Sequence, residues 1–424
     1  MAGDAGERVR PVVLLLAPWF GPGFHGGAPR LFDLLLSSVR AFDVHVLTGL
    51  GRTTRERATA YDRRAQEERG YRVHRDAGFN PELQFAPGAR VPAKAVAALR
   101  HFRGVHRALR DCLATVRPEV VVAGDSFRCG WLMNRLPRRY LRVNSVHGVE
   151  LTTTWNYGPV PRLLRRAQMH ALRGADLDIA VSRYSADQVV ALSGAAPDRC
   201  AVLPKAVDTI VFHPPADRTA LRRSLGWEDR TVLLSLSRQD ARKGTDQVLR
   251  ALHASRSLPA DWHFVIGGTG DQDAHLRELA DVLGLTQRVT FLGFVPEQDL
   301  PSLFGAADLF VQPNRCIDGD TEGFGIVFLE AAACGTPVLG GIAGGTADAI
   351  ADGVSGVRVD GDSVDAVRQG LEAMLGDPAL LRRMGAAGLE RVRREFTPAI
   401  LARDFEALLQ AARERQRTER PSPR

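Results

Sequence analysis

Two carboxylates and two glycines occupy one short segment that is predicted to begin a helix. The segment runs from Glu322 through Gly323, Phe324 and Gly325 to Glu330. Glycines let a backbone approach a ligand closely, and free N–H groups at a helix start favour phosphate or polar sugar edges. Glu322 can accept hydrogen bonds from sugar hydroxyls, and Glu330 can bridge a diol such as a ribose. The alternative is a capped core helix with two solvated glutamates, but a glutamate buried in so apolar a helix needs a partner.

A second segment, residues 237–244, places cations on a loop that follows a predicted buried strand. Arg238 and Lys243 can point at the same diphosphate, and fixed cations stabilise the negative charge that develops as pyrophosphate departs. The chain has only three lysines among its 56 basic residues. A position that remains lysine is therefore informative, although a solvated basic loop is the alternative.

Two further strand ends are candidates for ligand contact. The first strand leads to Gly26 and Gly27, with Pro29 in the first turn of the following helix, which presents N–H groups and a helix dipole. His147, followed by Gly148, ends another strand at the edge where parallel sheets bind ligands. A purely structural histidine is the alternative there.

Two other patterns are weaker. Residues 267–270 read Gly-Gly-Thr-Gly after a strand, but position 273 is Asp where a dinucleotide fingerprint needs glycine. An NAD site is therefore not expected at Gly268. Asp318 and Asp320 are predicted to form a solvated loop, with little to complete an octahedral metal shell. We expect no metal and no cofactor.

Strands and helices alternate twice along the chain. Predicted strands lie at residues 12–17, 44–47, 120–123, 142–146, 177–181, 200–203, 232–237, 263–266, 289–292, 309–312 and 337–339. Continuous apolar strands are typical of parallel sheets covered on both faces. The alternation predicts two doubly wound, Rossmann-like α/β domains that face one cleft. The predicted domains are residues 1–210 and 211–397, followed by a C-terminal helix and disordered tail at 398–424.

Composition bounds the setting. A chain of 424 residues exceeds a single core. The longest apolar run, residues 12–17, is too short to span a membrane and lacks the flanks of a signal peptide. Five scattered cysteines without a CxxC pair argue against a zinc site or a disulfide framework. Together these features predict a protein of the reducing cytoplasm.

Charge is divided unevenly between the two halves. Residues 1–215 carry 31 basic and 19 acidic side chains, whereas residues 216–424 carry 25 and 30. A basic first half indicates an anionic partner, either a phosphorylated substrate or the inner membrane surface. Nucleic acid is not expected, because no nucleic-acid-binding motif is present. A solvated basic face in an arginine-rich chain is the alternative.

The motifs together resemble a known family. Glu322 and Glu330 form an E-x7-E which, with Arg238, Lys243 and the glycine pairs, resembles the family-4 retaining glycosyltransferases of the GT-B fold. The resemblance spans residues 12–359. Residues 320–327 and 147–150 particularly resemble the actinobacterial mannosyltransferases that modify phosphatidylinositol.

The resemblance implies roles for these residues. Arg238 and Lys243 hold the donor diphosphate, and Glu330 binds the ribose. Glu322 holds the transferred sugar together with the backbone amides of the residues that follow it. Those residues, and the other positions that we predict to bind the donor, are Phe324, Gly325, Ile326 and Gly268.

The first domain is expected to complete the site. By the resemblance, His147 touches the donor sugar, and the loop of Gly26 and Gly27 closes on the β-phosphate. Asp125 and Glu150 are predicted to contact the acceptor. The helix at about residues 398–413 resembles one that crosses back to the first domain.

The sequence departs from the family pattern at two places. Residues 205–208, Lys-Ala-Val-Asp, stand where the family usually has Asn-Gly-Val-Asp, which affects the hinge. Asp348 stands where a glutamate is usual. Neither position belongs to the predicted donor set.

The implied reaction is transfer of a hexose from a UDP- or GDP-sugar to a hydroxyl of a lipid headgroup, cyclitol or secondary metabolite. Displacement occurs on the front face, and the departing phosphate takes the acceptor proton. Two alternatives stay open: a nucleotide-sugar epimerase of the same fold, and a non-catalytic nucleotide-sugar binding protein. A phosphorylase is disfavoured, since no pyridoxal lysine is evident.

Overall fold

The computed structural model describes residues 10–22, 27–50, 53–79, 91–152 and 159–419. In these ranges the strands form two parallel sheets. The first sheet has the order β3-β2-β1-β4-β5-β6-β7 and the second β10-β9-β8-β11-β12-β13. The strands are β1 (Val12–Leu16), β2 (Asp43–Thr48), β3 (Tyr71–Arg75), β4 (Val120–Ala123), β5 (Leu141–Val146), β6 (Leu177–Ala180), β7 (Cys200–Val202), β8 (Thr231–Leu236), β9 (Trp262–Gly267), β10 (Val289–Gly293), β11 (Leu309–Gln312), β12 (Val338–Gly341) and β13 (Gly356–Val359).

Helices connect the strands and cover both sheets. They are α1 (Gly27–Leu36), α2 (Arg55–Glu68), α3 (Val91–Val116), α4 (Ser126–Met133), α5 (Val149–Thr152), α6 (Pro159–Gly174), α7 (Arg183–Ser193), α8 (Arg218–Ser224), α9 (Thr245–Ala254), α10 (Asp273–Val282), α11 (Leu300–Ala306), α12 (Ile326–Ala333), α13 (Thr346–Ala349), α14 (Val364–Leu375), α15 (Pro378–Glu395) and α16 (Pro398–Glu419). Within the described ranges, no helix combines the length and apolarity needed to cross a membrane.

The apolar strands are buried because each sheet is packed on both faces. Val13 and Leu15 of β1 point into one core, and Leu14 and Leu16 point into another on the opposite face. This alternation is the two-residue period of a strand, here apolar on both sides. The predicted fold class, two Rossmann-like sheets in a GT-B arrangement, is confirmed.

Two outer strands were not predicted from the sequence. β3 reads Tyr-Arg-Val-His-Arg, with only Tyr71 fully buried, and β13 reads Gly-Val-Arg-Val. Each lies at an edge of its sheet, where one side of the strand is open. Polar side chains are tolerated at an edge, so the continuous apolar pattern that identifies central strands is missing.

The C-terminal helix α16 packs on the first sheet. Leu401, Phe405 and Leu409 belong to the same core as Val13 and Leu15. The expectation that order ends near Arg413 is wrong, since α16 continues to Glu419. Gln416 Nε2 donates to the carbonyl oxygen of Tyr140 at 3.0 Å, which holds this last part against the first domain. The predicted division at residues 210 and 397 stays a prediction.

Candidate active site

The candidate residues lie where parallel strands end, so the fold brings distant segments to one cleft. The loop after β5 carries His147, and the loop between β11 and α12 carries Glu322. These two loops touch: a Cβ built on Gly148 would lie 2.8 Å from Cα of Gly323. A glycine at both positions permits this approach, which closes the first domain against the second at the predicted site.

Glu322 is the centre of a cluster of polar side chains. Its Oε2 accepts from Lys243 Nζ at 2.6 Å, from Arg242 Nη1 at 3.2 Å and from Asn314 Nδ2 at 3.2 Å. The side chains of Lys243 and Arg242 are only 11% and 14% exposed. The structure therefore brings together Glu322 and Lys243, two of the predicted catalytic residues, in a buried ion pair.

The cations decide the charge of Glu322. Burial alone raises the pKa of this carboxyl, but Lys243 and Arg242 lower it to about 2. Glu322 is therefore a carboxylate at neutral pH. No described residue donates to its Oε1, which leaves an acceptor that suits a sugar hydroxyl.

The start of α12 offers free amides beside this carboxylate. Gly325 caps the helix with φ 88°, a left-handed conformation that favours glycine, and Phe324 is anchored in the core at 1% exposure. In the described part of the chain, nothing accepts from the N–H groups of Phe324 and Gly325. The amide of Ile326, in the first turn, likewise lacks an acceptor inside the helix.

Glu330 lies one turn into α12, closer to the helix start than the sequence suggested. The sequence predicted a buried carboxylate inside the apolar helix, but Glu330 is only partly buried. The flanking residues Leu329 and Ala331 are buried. Glu330 thus emerges at the border of the helix, a position that suits contact with a ligand.

Arg238 behaves differently from Lys243. Its side chain is 71% exposed, and its Nε donates to Oδ1 and Oδ2 of Asp240, each at 2.8 Å. No described contact joins Arg238 to Lys243 or to Glu322. Arg238 lies on the same loop and is accessible to a ligand, but the structure does not bring it into the Glu322 cluster.

His147 forms the wall of the cleft on the side of the first domain. Its Nε2 lies 2.9 Å from the carbonyl oxygen of Gly124, so Nε2 carries the proton and donates. Burial, reinforced by the positive charge of Lys205, lowers the pKa of His147 to about 4. The ring is neutral at pH 7. Its Nδ1 is buried and has no partner among the described residues.

Glu150 holds the His147 loop. Its Oε1 accepts from the backbone N–H of His147 at 2.7 Å and from Ser126 Oγ at 3.4 Å. Burial and the nearby charge of Asp125 raise the pKa of Glu150 to about 7. This carboxyl is 5% exposed, so it shapes the loop from beneath. Its predicted role in acceptor binding stays a prediction.

The other predicted residues are placed as follows. Asp125 caps α4, its Oδ1 accepting from the N–H groups of Phe127 and Arg128, so much of its capacity is used locally. Gly27 begins α1, whereas Gly26 lies outside the described residues. Gly268 has φ +104°, and a Cβ there would lie 1.8 Å from the carbonyl oxygen of Ser237.

Sequence reasoning missed two members of the cluster, Arg242 and Asn314. Arg242 stood inside the basic segment but was not singled out, and it also pairs through Nε with Asp320 Oδ2 at 3.2 Å. The expectation that Asp320 is solvated is therefore wrong, because Asp320 pairs with Arg242. Asp318 is exposed, as predicted. Among the described residues, no group of three or more histidine, cysteine or acidic side chains could hold a metal ion.

Further contacts join the two domains beside the site. Ser182 Oγ donates to the carbonyl oxygen of Gly323 at 2.7 Å. Asp348 accepts from the backbone N–H of Arg183 at 2.8 Å and pairs with its guanidinium at 2.9 Å. The aspartate that departs from the family pattern is thus a contact between domains.

Solved structures define the class. The chain superposes on Anabaena HepE, solved in complex with UDP, with a TM-score of 0.71 at 20% identity, covering 94% of this chain and 100% of that one. Sucrose-phosphate synthase from Thermosynechococcus elongatus gives 0.71 at 20% identity, with coverages of 96% and 100%. At this identity the likeness concerns the fold, and it places the chain among two-domain proteins of the GT-B class.

Sequence comparison defines the family. Residues 26–210 match the model "Glycosyltransferase Family 4", and residues 217–391 match "Glycosyl transferases group 1". The chain belongs to the family-4 glycosyltransferases. It is 34% identical over 276 residues to the "GDP-mannose-dependent monoacylated alpha-(1-6)-phosphatidylinositol monomannoside mannosyltransferase" of Corynebacterium glutamicum. The aligned residues are 63% of this chain and 70% of that protein.

Two other relatives match over shorter spans. The GDP-mannose-dependent alpha-(1-6)-phosphatidylinositol monomannoside mannosyltransferase of Mycolicibacterium smegmatis is 39% identical over 254 residues, which are 58% of this chain and 64% of the relative. A D-inositol 3-phosphate glycosyltransferase of Mycobacterium sp. (strain KMS) is 36% identical over 231 residues, which are 53% of this chain and 51% of the relative. The chain thus spans between half and two thirds of these two relatives.

Proposed function

We propose that this protein is a retaining glycosyltransferase that moves a hexose from a nucleoside-diphosphate sugar to an acceptor hydroxyl. The observation that carries the proposal is the Glu322 cluster beside the free amides of α12, with neutral His147 opposite. Carboxylate, amides and imidazole acceptor suit a polar sugar. Lys243 and Arg238 supply positive charge for the diphosphate. The combination fits a sugar joined to a diphosphate better than either group alone.

The chemistry follows from these charges. The acceptor oxygen attacks the anomeric carbon as the bond to the β-phosphate breaks, and the departing phosphate oxygen takes the acceptor proton. Negative charge develops on the leaving group, where Lys243, Arg238 and the α12 amides stabilise it. Glu322 is fixed as a carboxylate by its cations, so its role is to hold the sugar and not to move a proton.

The relatives suggest which substrates to test first. Two of them are named as dependent on GDP-mannose, and their acceptors are phosphatidylinositol mannosides; a third is named for D-inositol 3-phosphate. HepE was solved with UDP. We propose GDP-mannose as the first donor, UDP-glucose as the second, and an inositol bearing a phosphate or a phosphatidyl group as the acceptor.

The test is a donor screen that follows release of nucleoside diphosphate. GDP-mannose and UDP-glucose are each offered with phosphatidylinositol vesicles or inositol 3-phosphate, and the product linkage is read by NMR. An α-linked product from an α-linked donor is expected. A β-linked product would overturn the retaining mechanism. Conversion of the donor without an acceptor would favour an epimerase, and binding without turnover a non-catalytic protein.

The same assay tests our expectation that no metal is required. Activity should persist in chelator, because side-chain cations and helix amides already oppose the charge of the diphosphate. Loss of activity in chelator, recovery with magnesium or manganese, and loss in the Asp318→Asn/Asp320→Asn double variant would together place a metal at that loop.

We further propose that the first domain meets an anionic membrane surface through α3. Exposed arginines recur along one face of this helix at spacings of three and four residues, at Arg100, Arg103, Arg107 and Arg110. Leu99, on the same helix, is 51% exposed, and Leu163 of α6 is 66% exposed. A basic helix face beside exposed apolar side chains suits contact with anionic lipid. Placement at the inner face of the membrane stays a prediction.

A further inference from the structure

Lys205 is a cation in the cleft that the predicted donor set does not include. It follows β7 by three residues and lines a cavity of about 50 Å³ that His147 and Ser145 also line. The segment is held at both ends: the Leu203 amide donates to Ala180 O at 2.9 Å, and the Val207 amide donates to Phe396 O at 2.8 Å. The backbone of Lys205 is thus fixed where the two domains meet.

The ammonium of Lys205 is partly buried and has neither a hydrogen bond nor an ion pair with any described residue. Two nearby carboxylates have partners of their own. Glu322 is held by three donors through Oε2, and Glu150 accepts from the backbone of His147. Withdrawing a cation from water without a partner is unfavourable. Among the described residues, the positive charge of Lys205 is therefore opposed only across space by carboxylates, without a direct partner.

Charged groups of both domains act on the ammonium of Lys205. The ammonium of Lys205 is acted on by Glu322, Glu150, Glu330 and Lys243, and it in turn acts on His147. The ammonium groups of Lys205 and Lys243 are thus near enough for their charges to repel each other. An anion between them would relieve that repulsion and complete the hydrogen bonding of Lys205.

We propose that Lys205 binds the β-phosphate of the donor together with Lys243. This assignment rests on the proposed function. It makes charge stabilisation of the leaving group depend on both domains, because Lys205 reaches the phosphate only when the first domain faces the second.

The test compares nucleotides that differ by the β-phosphate. Calorimetry with GDP, GMP, UDP and UMP is performed on the wild type and on Lys205→Met and Lys205→Arg. Lys205→Met should weaken binding of the nucleoside diphosphates by about 10- to 100-fold, the scale of a hydrogen bond to a charged group. The affinity for the monophosphates should not change. Lys205→Arg should recover most of the affinity. Arg72→Met, which removes a half-exposed cation from β3 at the opposite edge of the sheet, is the matched control and should change neither.

Stability separates binding from a structural role. Because no described residue bonds the ammonium of Lys205, Lys205→Met should melt at or above the wild-type temperature when no nucleotide is added. If that variant misfolds, Lys205→Asn, the usual family residue, serves for the same comparison. Equal diphosphate affinity in wild type and variant would overturn the inference while the proposed function stands.

Two further outcomes are decisive. A higher KM for inositol 3-phosphate, with diphosphate affinity unchanged, would assign Lys205 to an acceptor phosphate and overturn the assignment to the donor. A wild-type protein that binds neither GDP nor UDP would overturn the proposed function itself, and the inference with it.

Discussion

At the scale of single residues, the two predicted diphosphate cations differ in what they do without a ligand. Lys243 is buried and bonds Glu322 at 2.6 Å, whereas Arg238 is 71% exposed and pairs with Asp240. Both are proposed to contact a diphosphate, but only Lys243 also fixes Glu322, the carboxylate that we propose binds the sugar. The consequences of removing them should therefore differ.

Lys243→Ala and Arg238→Ala should each reduce kcat by roughly 10²–10³, the scale of losing one preorganised stabiliser of developing charge. Lys243→Ala should also lower the melting temperature, because Glu322 and Arg242 stay buried with one cation fewer. Arg238→Ala should melt like the wild type. Arg256→Ala, an exposed arginine of the same domain, is the control for turnover. Near-normal turnover in both variants would remove the diphosphate assignment.

Glu150 gives a prediction about pH. Its pKa is raised by burial and Asp125 from an ordinary 4.5 to about 7, so the folded state binds the proton more tightly than the unfolded chain does. Its contribution to stability is full below about pH 4.5 and is lost as pH rises through 7. Glu150→Gln keeps an acceptor for the His147 amide but does not titrate.

The free energy of unfolding of Glu150→Gln, relative to that of the wild type, should therefore increase as pH rises from 5 to 8, by up to about 3 kcal/mol. Thermal melting across this range measures the difference, with Glu406→Gln, a carboxylate that accepts from Ala41 N, as a control of similar chemistry. A difference that does not change with pH would show that the Glu150 carboxyl does not titrate between pH 5 and 8.

Much of the site could be predicted at this scale, and what was missed has a physical reason. Glu322, Lys243 and His147 stand at strand ends, which sequence patterns identify. Arg242, and not Arg238, is the second cation that bonds Glu322. The single turn Ala241–Lys243 directs Arg242 inward and leaves Arg238 exposed. Spacing alone cannot decide between two arginines four residues apart.

At the scale of elements, loops with unusual backbone position the ligand-facing groups. Central strands such as β8 and β11 were predictable because most of their residues are apolar, whereas β3 and β13 were not, because edges tolerate polar residues. Glycines after the strand ends allow neighbouring backbone segments to approach each other closely. Gly268 packs against Ser237 of the neighbouring loop in a conformation that side chains rarely adopt.

Gly268→Ala should destabilise the protein by about 2 kcal/mol or more, because a Cβ would meet a carbonyl oxygen at 1.8 Å and φ is +104°. Nucleotide affinity should fall with it as the loops after β8 and β9 separate. Gly226→Ala is matched: φ is +68° and nothing lies within 4 Å of its Cβ, so its cost should stay within about 1 kcal/mol. Equal costs in melting experiments would show that the loops after β8 and β9 adjust freely.

At the scale of the whole molecule, charge is divided between the domains, and α3 concentrates it. Four exposed arginines of α3 lie on one face of the helix. The second domain offers a comparison, since α15 exposes four arginines at Arg382, Arg383, Arg393 and Arg394. If total charge alone draws the protein to a membrane, both helices should matter equally. If the basic first domain docks, only α3 should matter.

Replacing the four α3 arginines by glutamine should abolish most binding to vesicles that contain phosphatidylglycerol, since each basic residue near an anionic surface contributes about 1 kcal/mol. Replacing the four α15 arginines should have little effect. Sedimentation with vesicles measures both, and wild-type binding should weaken as salt passes roughly 0.15 M, where screening acts over about 8 Å. Equal losses in the two variants would contradict docking through α3. No wild-type binding even at low salt would instead favour a small soluble acceptor, because the basic face then serves neither membrane nor lipid headgroup.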